Sequence, residues 1–245
     1  MVEYGTPETE SLCRNVAETS GGVAILSFSR GKDSVAAWLY MRKFFPKIIP
    51  FHCASVPGLS YVDESLAYYE EFFKTPIIRY MDSECGGAVH RLWFQPVEDE
   101  DEIDRVGFWK YDKNELANLI RKKHGIQNAY CAFGINQSDS IDRQVRVKEC
   151  QGRHDGVKSF YPCWNWSRAE IMRIIEENQV RLADDYLIAC RSTAGLPGIR
   201  VLERMESVFP EDFRKVRLMF PFIQAVVARN EFRKQHFELT NTKDF

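Results

Sequence analysis

The sequence predicts an α/β protein: a parallel, five-stranded sheet flanked by helices, with a C-terminal helical appendage. Three observations carry this. Short apolar runs rich in branched residues alternate with helix-like stretches twice in succession between Val23 and Tyr80. The first run, Val23–Ser27, opens into a small, polar, glycine-containing loop and then a strongly apolar helical pattern. From Leu196 onward the strand signals stop and the periodicity is helical. The expected division is therefore 1–195 for the α/β domain and 196–245 for the helical extension.

Taken in order, Met1 to Gly22 is a polar lead-in, irregular or helical. Val23–Ser27 is a buried strand whose loop runs from Phe28 to Asp33. The following helix is apolar nearly all round (Val35 to Met41), which implies burial. Arg42 and Lys43 complement its C-terminal dipole, and Pro46 stops it. Ile48 to Cys53 is a second strand, weakened by Pro50, which lacks a ladder donor. Pro57-Gly58 marks a turn, and Ser60 an N-cap for a helix whose Val62, Leu66, Tyr69 and Phe73 share one face. Ile77 to Tyr80 is a third strand.

Met81 to Gly107, with Gly86-Gly87 and the acidic run Glu98 to Asp104, is expected to be irregular: a lid, a binding loop or a disordered segment. The acidic run reads as a solvated face. Asp112 and Glu115 have capping-box spacing ahead of Leu116, Leu119 and Ile120, and Gly125 ends that helix. Arg121-Lys122-Lys123-His124 complements its C-terminus better than it makes a nucleic-acid patch. Ala129 to Phe133 is a fourth strand and Ser159 to Cys163 a fifth. Between them, Gly134 to Arg143 is a polar loop leading into a helix. Ser167 and Glu170 repeat the capping box before Ile171, Ile174 and Ile175, with Asn178 at the end. Leu202, Met205 and Phe209 share a face in the C-terminal part, where Pro210 and Pro221 break the run.

The 245 residues carry 33 Lys and Arg against 35 Asp and Glu, a formal charge of −2, so there is no global electrostatic case for nucleic acid. The N-terminus lacks a signal-peptide apolar core, and no apolar run approaches the roughly 18 residues of a membrane span. A cytoplasmic protein is expected. The seven cysteines are widely and irregularly spaced with no C-x-x-C pair, which favours buried thiols over zinc or redox sites, and no iron–sulfur cluster is expected.

The loop Ser27-Phe28-Ser29-Arg30-Gly31-Lys32-Asp33-Ser34 has the chemistry of a phosphate cradle. Binding a phosphate needs backbone N–H groups converging at the positive end of a helix dipole, hence small residues and a tight turn. Ser29, Gly31 and Ser34 supply small size and hydroxyls, and Lys32 adds charge. Asp33 would repel the ligand unless it caps the helix or holds a divalent cation such as magnesium. The spelling excludes a Walker A loop, which needs Ser or Thr after Gly-Lys, and a dinucleotide fingerprint, which needs three glycines.

The stretch resembles the PP-loop of the ATP pyrophosphatase superfamily, S-G-G-x-D-S after the first strand, and the longer S-F-S-x-G-K-D-S form is most similar to the phosphoadenosine phosphosulfate (PAPS) reductase branch. Arg30 stands where the pattern has glycine. If that position needs a positive φ, Arg carries a steric cost of roughly 1–2 kcal/mol; if not, its guanidinium could bind phosphate. Gly134-Ile135-Asn136-Gln137-Ser138-Asp139-Ser140-Ile141-Asp142-Arg143 is similar to the family's G-I-R-x-x-E-S-x-x-R nucleotide-facing loop, with Asn136 in place of an arginine. Pro162 and Asn165-Trp166-Ser167 resemble its P-x-x-D-W-S/T helix entry, where core packing is the expected role of Trp166.

The resemblance implies an adenine nucleotide alpha-hydrolase-like fold that binds ATP with magnesium and cleaves it between the α and β phosphates to adenylate an acceptor. It implies Lys32 and Asp33 as catalytic residues and Asp33 as the magnesium ligand. Ser27, Ser29, Arg30, Gly31, Lys32, Asp33, Ser34, Gly134, Ser140 and Arg143 would bind the nucleotide, and the acceptor, a homodimeric partner and any nucleic acid are left open. The family's reductases carry a nucleophilic cysteine in a C-terminal E-C-G-x-H segment, but here no cysteine follows Cys190. Glu84-Cys85-Gly86 is a mid-chain echo, and Tyr186 to Cys190 keeps one cysteine of a cluster-binding pair. The alternatives are a reductase using Cys85 or Cys190, a sulfur-transfer or base-modification enzyme acting on nucleic acid, and a non-catalytic nucleotide-binding module.

Overall fold

The structure, a computed structural model, describes residues 4–106, 111–137, 141–183 and 199–241. The chain divides into two units, 1–53 with 64–80 and 111–183, and 54–63 with 81–110 and 184–245.

The first unit holds a six-stranded sheet: β1 Val23–Ser27, β2 Lys47–Ala54, β3 Ile78–Met81, β4 Tyr130–Phe133, β5 Arg153–His154 and β6 Ser159–Phe160, in the order β3-β2-β1-β4-β6-β5. The pairs β1–β2, β1–β4 and β4–β6 are parallel, and β5 runs antiparallel to β6. The expected five strands become six because Arg153–His154 folds back on β6. Two residues are too few to show a period-2 pattern in a sequence.

Pro50 does not interrupt β2. It stands opposite Leu26, and its neighbour Phe51 accepts the Phe28 N–H at 2.8 Å. Successive strand residues direct their backbone groups to opposite sides, so the donor that Pro50 lacks faces away from β1.

One face of the sheet packs Ile25, Ile49, Phe51, Ala129 and Cys131 against Leu116, Ala117 and Ile120 of α6, Lys113–His124. Helix α2, Lys32–Met41, is buried from Ser34 to Met41 and packs against α8, Arg168–Glu177. Phe28 lies edge-on to both Trp38 and Tyr69 at 5.0 Å, and Trp38 stacks on Phe73 at 3.9 Å.

The capping boxes form as the spacing predicts: Asp112 with Glu115, and Ser167 with Glu170. Arg121 is 4% exposed, its Nε donating to Ala129 O at 2.7 Å and its Nη2 to Lys158 O at 2.8 Å. It thus ties the helix to the chain entering β4 and β6, and the helix itself ends at Gly125, which is left-handed. Trp166 is 1% exposed, with its Nε1–H donating to Thr9 Oγ1 at 3.1 Å.

In the second unit the stretch expected to be irregular is largely helical: Ser83–His90, a short 3₁₀ turn Val97–Asp99, and Glu100–Val106. Asp82 caps the first of these by accepting from Glu84 N and Cys85 N, which overrides the helix-breaking signal of Gly86-Gly87. The acidic run is exposed apart from Ile103. Helices Ile199–Val208, Pro210–Met219 and Ile223–Asn241 follow, with Pro210 at a helix start. Ser60 opens its helix without acting as its own cap. The fully buried Asp212 carboxylate accepts from Ser60 N at 2.8 Å and Ser60 Oγ at 2.7 Å.

No helix among the described residues is long and apolar enough to cross a membrane.

Candidate functional site

The strand order reverses at β1: β2 and β3 lie on one side of it, β4 and β6 on the other. In open parallel sheets the crevice outside the carboxyl ends of the strands at such a reversal is where ligands bind. The two loops leaving β1 and β4 lie at that reversal, and they contain most of the predicted site residues.

Ser27 ends β1. The chain then turns through Phe28, Ser29 and Arg30 to Gly31, the N-cap of α2, which has no side-chain cap of its own. Two hydroxyls bind the turn internally. Ser34 Oγ donates to Gly31 O at 2.9 Å, Ser29 Oγ donates to Ser34 Oγ at 3.1 Å, and Gly31 N donates to Ser29 Oγ at 3.4 Å. His52 Nδ1 lies 2.8 Å from Phe28 O, tying the loop to β2.

Lys32 and Asp33 occupy the first turn of α2, the positive end of its dipole. Lys32 Nζ lies 2.6 Å from an Asp33 carboxylate oxygen, and the two side chains are 24% and 20% exposed. An ammonium has three donors and a carboxylate about four acceptor sites, so this pairing is compatible with further partners. Among the described residues no three His, Cys, Asp or Glu side chains converge as a ready-made metal site. Asp33 fits magnesium in the manner usual for nucleotide sites, one carboxylate completed by phosphate oxygens and water.

From the other side comes Gly134, directly after β4. A Cβ on Gly134 would stand 2.5 Å from Ser34 N, 2.7 Å from Ser34 Cα and 2.8 Å from Asp33 C. Only glycine allows the β4 loop to lie on the backbone of the α2 N-terminus. The two predicted loops thus meet, and the contact sets the residue type at 134.

Arg30 adopts the left-handed turn. Its φ is +65°, so the steric cost of roughly 1–2 kcal/mol is incurred. Its side chain is 1% exposed and turned inward, with Nη1 donating to Ser65 Oγ at 2.9 Å on α3, Ser60–Phe73. Asn136, which stands where the family pattern has an arginine, is 2% exposed and donates to Cys163 O at 3.0 Å and Trp166 O at 2.7 Å. Its role here is to hold the β4 loop to the segment that starts α8. Ser140 lies outside the described residues. Arg143 is in the first turn of α7, Ile141–Glu149, and its side chain is likewise outside them.

Of the two candidate thiols, Cys85 lies among the described residues and is buried. Cys85 is 2% exposed, and burial together with the nearby Asp82 pushes its thiol up to about 12. Burial also pushes Cys131 up to about 12 and raises Cys13 and Cys163. A protonated, enclosed sulfur is a poor nucleophile. Cys190 lies outside the described residues.

No family model and no curated protein matches the chain. Among solved structures it is similar to the U34-tRNA thiolase NcsA from Methanococcus maripaludis with its 4Fe–4S cluster, at 14% identity and a TM-score of 0.45, covering 89% of this chain and 78% of that one. It is similar to the PAPS reductase from Candida auris in its phosphate complex, at 14% identity and a TM-score of 0.40, over 75% of this chain and 91% of that one. It is also similar to the NH3-dependent NAD synthetase from Campylobacter jejuni subsp. jejuni NCTC 11168 in complex with nitrate ion, at 13% identity and a TM-score of 0.44, over 93% and 95%. The expectation that there is no iron–sulfur cluster does not stand: the thiolase in this set is described with one. The lack of a C-x-x-C pair is no ground for excluding a cluster, because ligating cysteines can come from distant parts of a chain.

Proposed function

We propose that the chain is a PP-loop protein of the PAPS reductase-like kind that binds ATP with magnesium and transfers the adenylyl group to an acceptor. The observation that carries this reading is the approach of Gly134 to the Asp33–Ser34 backbone at the reversal of strand order. It builds a cradle floored by peptide groups at a helix N-terminus, flanked by one ammonium and one carboxylate.

In this reading the loop N–H groups and Lys32 hold the phosphates. The acceptor oxygen attacks the α-phosphorus, the bond from it to the α–β bridging oxygen breaks, and pyrophosphate leaves with that electron pair. Lys32 stabilises the negative charge that develops on the leaving group, and the preorganised N–H groups do so without reorganising. Magnesium, when bound, supplies further neutralisation of the same charge, and Asp33 is the residue that would hold it. Sulfate, a carboxylate and the carbonyl oxygen of a base are the acceptor classes with suitable chemistry.

Reductase chemistry at Cys85 is disfavoured by its enclosure and its protonated thiol.

The test is calorimetric titration of ATP with magnesium, followed by assay of AMP and pyrophosphate across an acceptor panel, for wild type and Asp33→Ala. The expected result is binding by wild type, with pyrophosphate released by wild type only. Absence of ATP binding by wild type overturns the nucleotide reading. Binding without pyrophosphate for any acceptor class leaves the nucleotide module and removes the transferase.

A further inference from the structure

We infer that Arg30 is a positioning residue: anchored on Ser65 of α3, it holds the β1–α2 loop in the left-handed turn that aims the N–H groups at the start of α2. The purpose of that aim rests on the nucleotide reading above; the geometry of the hold does not.

Arg30 immediately precedes Gly31, the N-cap of α2, so its backbone angles set the direction in which the chain enters the helix. Its φ of +65° lies in the region that side chains other than glycine disfavour. A glycine here would enter the turn without steric cost and leave it as easily. Arginine does the reverse: the turn is disfavoured locally, yet once made it is retained by a side chain that reaches another element. Arg30 and Ser65 are each 1% exposed, and Nη1 donates to Ser65 Oγ at 2.9 Å.

A guanidinium only donates, and the serine hydroxyl oxygen is an acceptor it meets on α3. A hydrogen bond from an ionised donor in an enclosed setting is among the stronger ones, because water is not at hand to replace it. To leave the left-handed turn the loop must withdraw this guanidinium, so a conformation that glycine would merely permit is here fixed from outside. The same burial excludes the other role open to an arginine in this loop. With its guanidinium enclosed, Arg30 is not presented to a phosphate.

The variants are Ser65→Ala, which removes the α3 acceptor and leaves the loop sequence intact, and Arg30→Gly, which removes anchor and steric cost together. Amide hydrogen exchange over 27–35 reads the hold, and titration with inorganic pyrophosphate reads its purpose. The expected outcome is about tenfold faster exchange at 29–34 in either variant, with β1 and β4 unchanged and little further change in the double variant. Pyrophosphate affinity should fall about tenfold in both single variants. Unchanged loop exchange in Ser65→Ala, or an equal loss of protection throughout the unit, overturns the inference. So does loss of pyrophosphate binding in Arg30→Gly with full retention in Ser65→Ala, the signature of a direct phosphate ligand. If wild type binds no pyrophosphate, the nucleotide reading falls, and the exchange comparison still decides the inference.

Discussion

Gly134 and Ser34 touch through their backbones: the direction in which Gly134 would carry a Cβ ends 2.5 Å from the Ser34 amide nitrogen. Backbone atoms of a helix start cannot yield as a flexible side chain can. Gly134→Ala therefore has to push the β4 loop off α2. The expected outcome is a loss of about 1–3 kcal/mol in stability by urea denaturation. Nucleotide affinity should fall at least about tenfold by calorimetry. Retention of both would mean the loops can separate without consequence.

Asp33→Asn tests the metal assignment separately from the cradle. Replacing the carboxylate by its amide keeps the volume and removes the charge that attracts a divalent cation. ATP affinity measured with magnesium should fall, while affinity measured in EDTA should hold or rise, since a like charge beside the phosphates is gone. Equal losses in both conditions would place Asp33 in loop structure alone.

Asp212 gives the second unit a pH dependence. Its burial raises the carboxyl, but hydrogen bonds from Ser60 N–H and hydroxyl, from Lys215 and from Tyr61 N–H outweigh this and lower it below the ordinary value. A group depressed in the folded state contributes stability above its unfolded pKa, near 4, and that contribution is lost as pH falls through the folded value. Asp212→Asn should thus be less stable by roughly 2–3 kcal/mol at pH 7. The gap from wild type should narrow in melts taken below about pH 4. A gap independent of pH would show that the charge is immaterial.

The thiols should behave as core groups. With Cys85 and Cys131 each pushed up to about 12, native protein at pH 8 should leave both unmodified by iodoacetamide over hours, as read by peptide mass spectrometry, and urea should expose them. Rapid native alkylation of Cys85 would reopen a nucleophilic role for it.

Arg121→Met should lose about 2–4 kcal/mol in urea denaturation, since Ala129 O and Lys158 O lose the guanidinium, although Lys158 O keeps the Cys131 N–H. In a duplex-binding titration it should match wild type. A residue of a nucleic-acid patch would show the opposite pattern.

What could be read from the chain and what could not divides along one physical line. Patterns written within a few residues were legible: the apolar run of β1, the all-round apolar face of α2, and the Asp112–Glu115 and Ser167–Glu170 capping boxes. So was the meeting of small residues with a helix start at Gly31 to Ser34. Features whose partner lies far along the chain were not. Ser60 looks like a cap, but its own hydroxyl is bound by Asp212. Gly86-Gly87 look like breakers, yet Asp82 holds them in a helix. In the site, Gly134 stood out only through a resemblance, because a glycine in a polar loop does not reveal which backbone it lies against. The partners of Asn136 are hidden for the same reason. Its neighbours in sequence suggest an anion loop, and its actual partners are carbonyls some thirty residues on.

The Asn136 amide deserves a last consequence. One NH₂ group serves both Cys163 O and Trp166 O, and beside it Gln137 N donates to Trp164 O at 2.9 Å, so the β4 loop is fastened to the lead-in to α8 at two adjacent residues. Trp166 in turn anchors the N-terminal helix through Thr9. A change confined to position 136 is thereby felt as far as the first turn of the chain's first helix, and mutational loss at the site and loosening of the N-terminus should be inherited together.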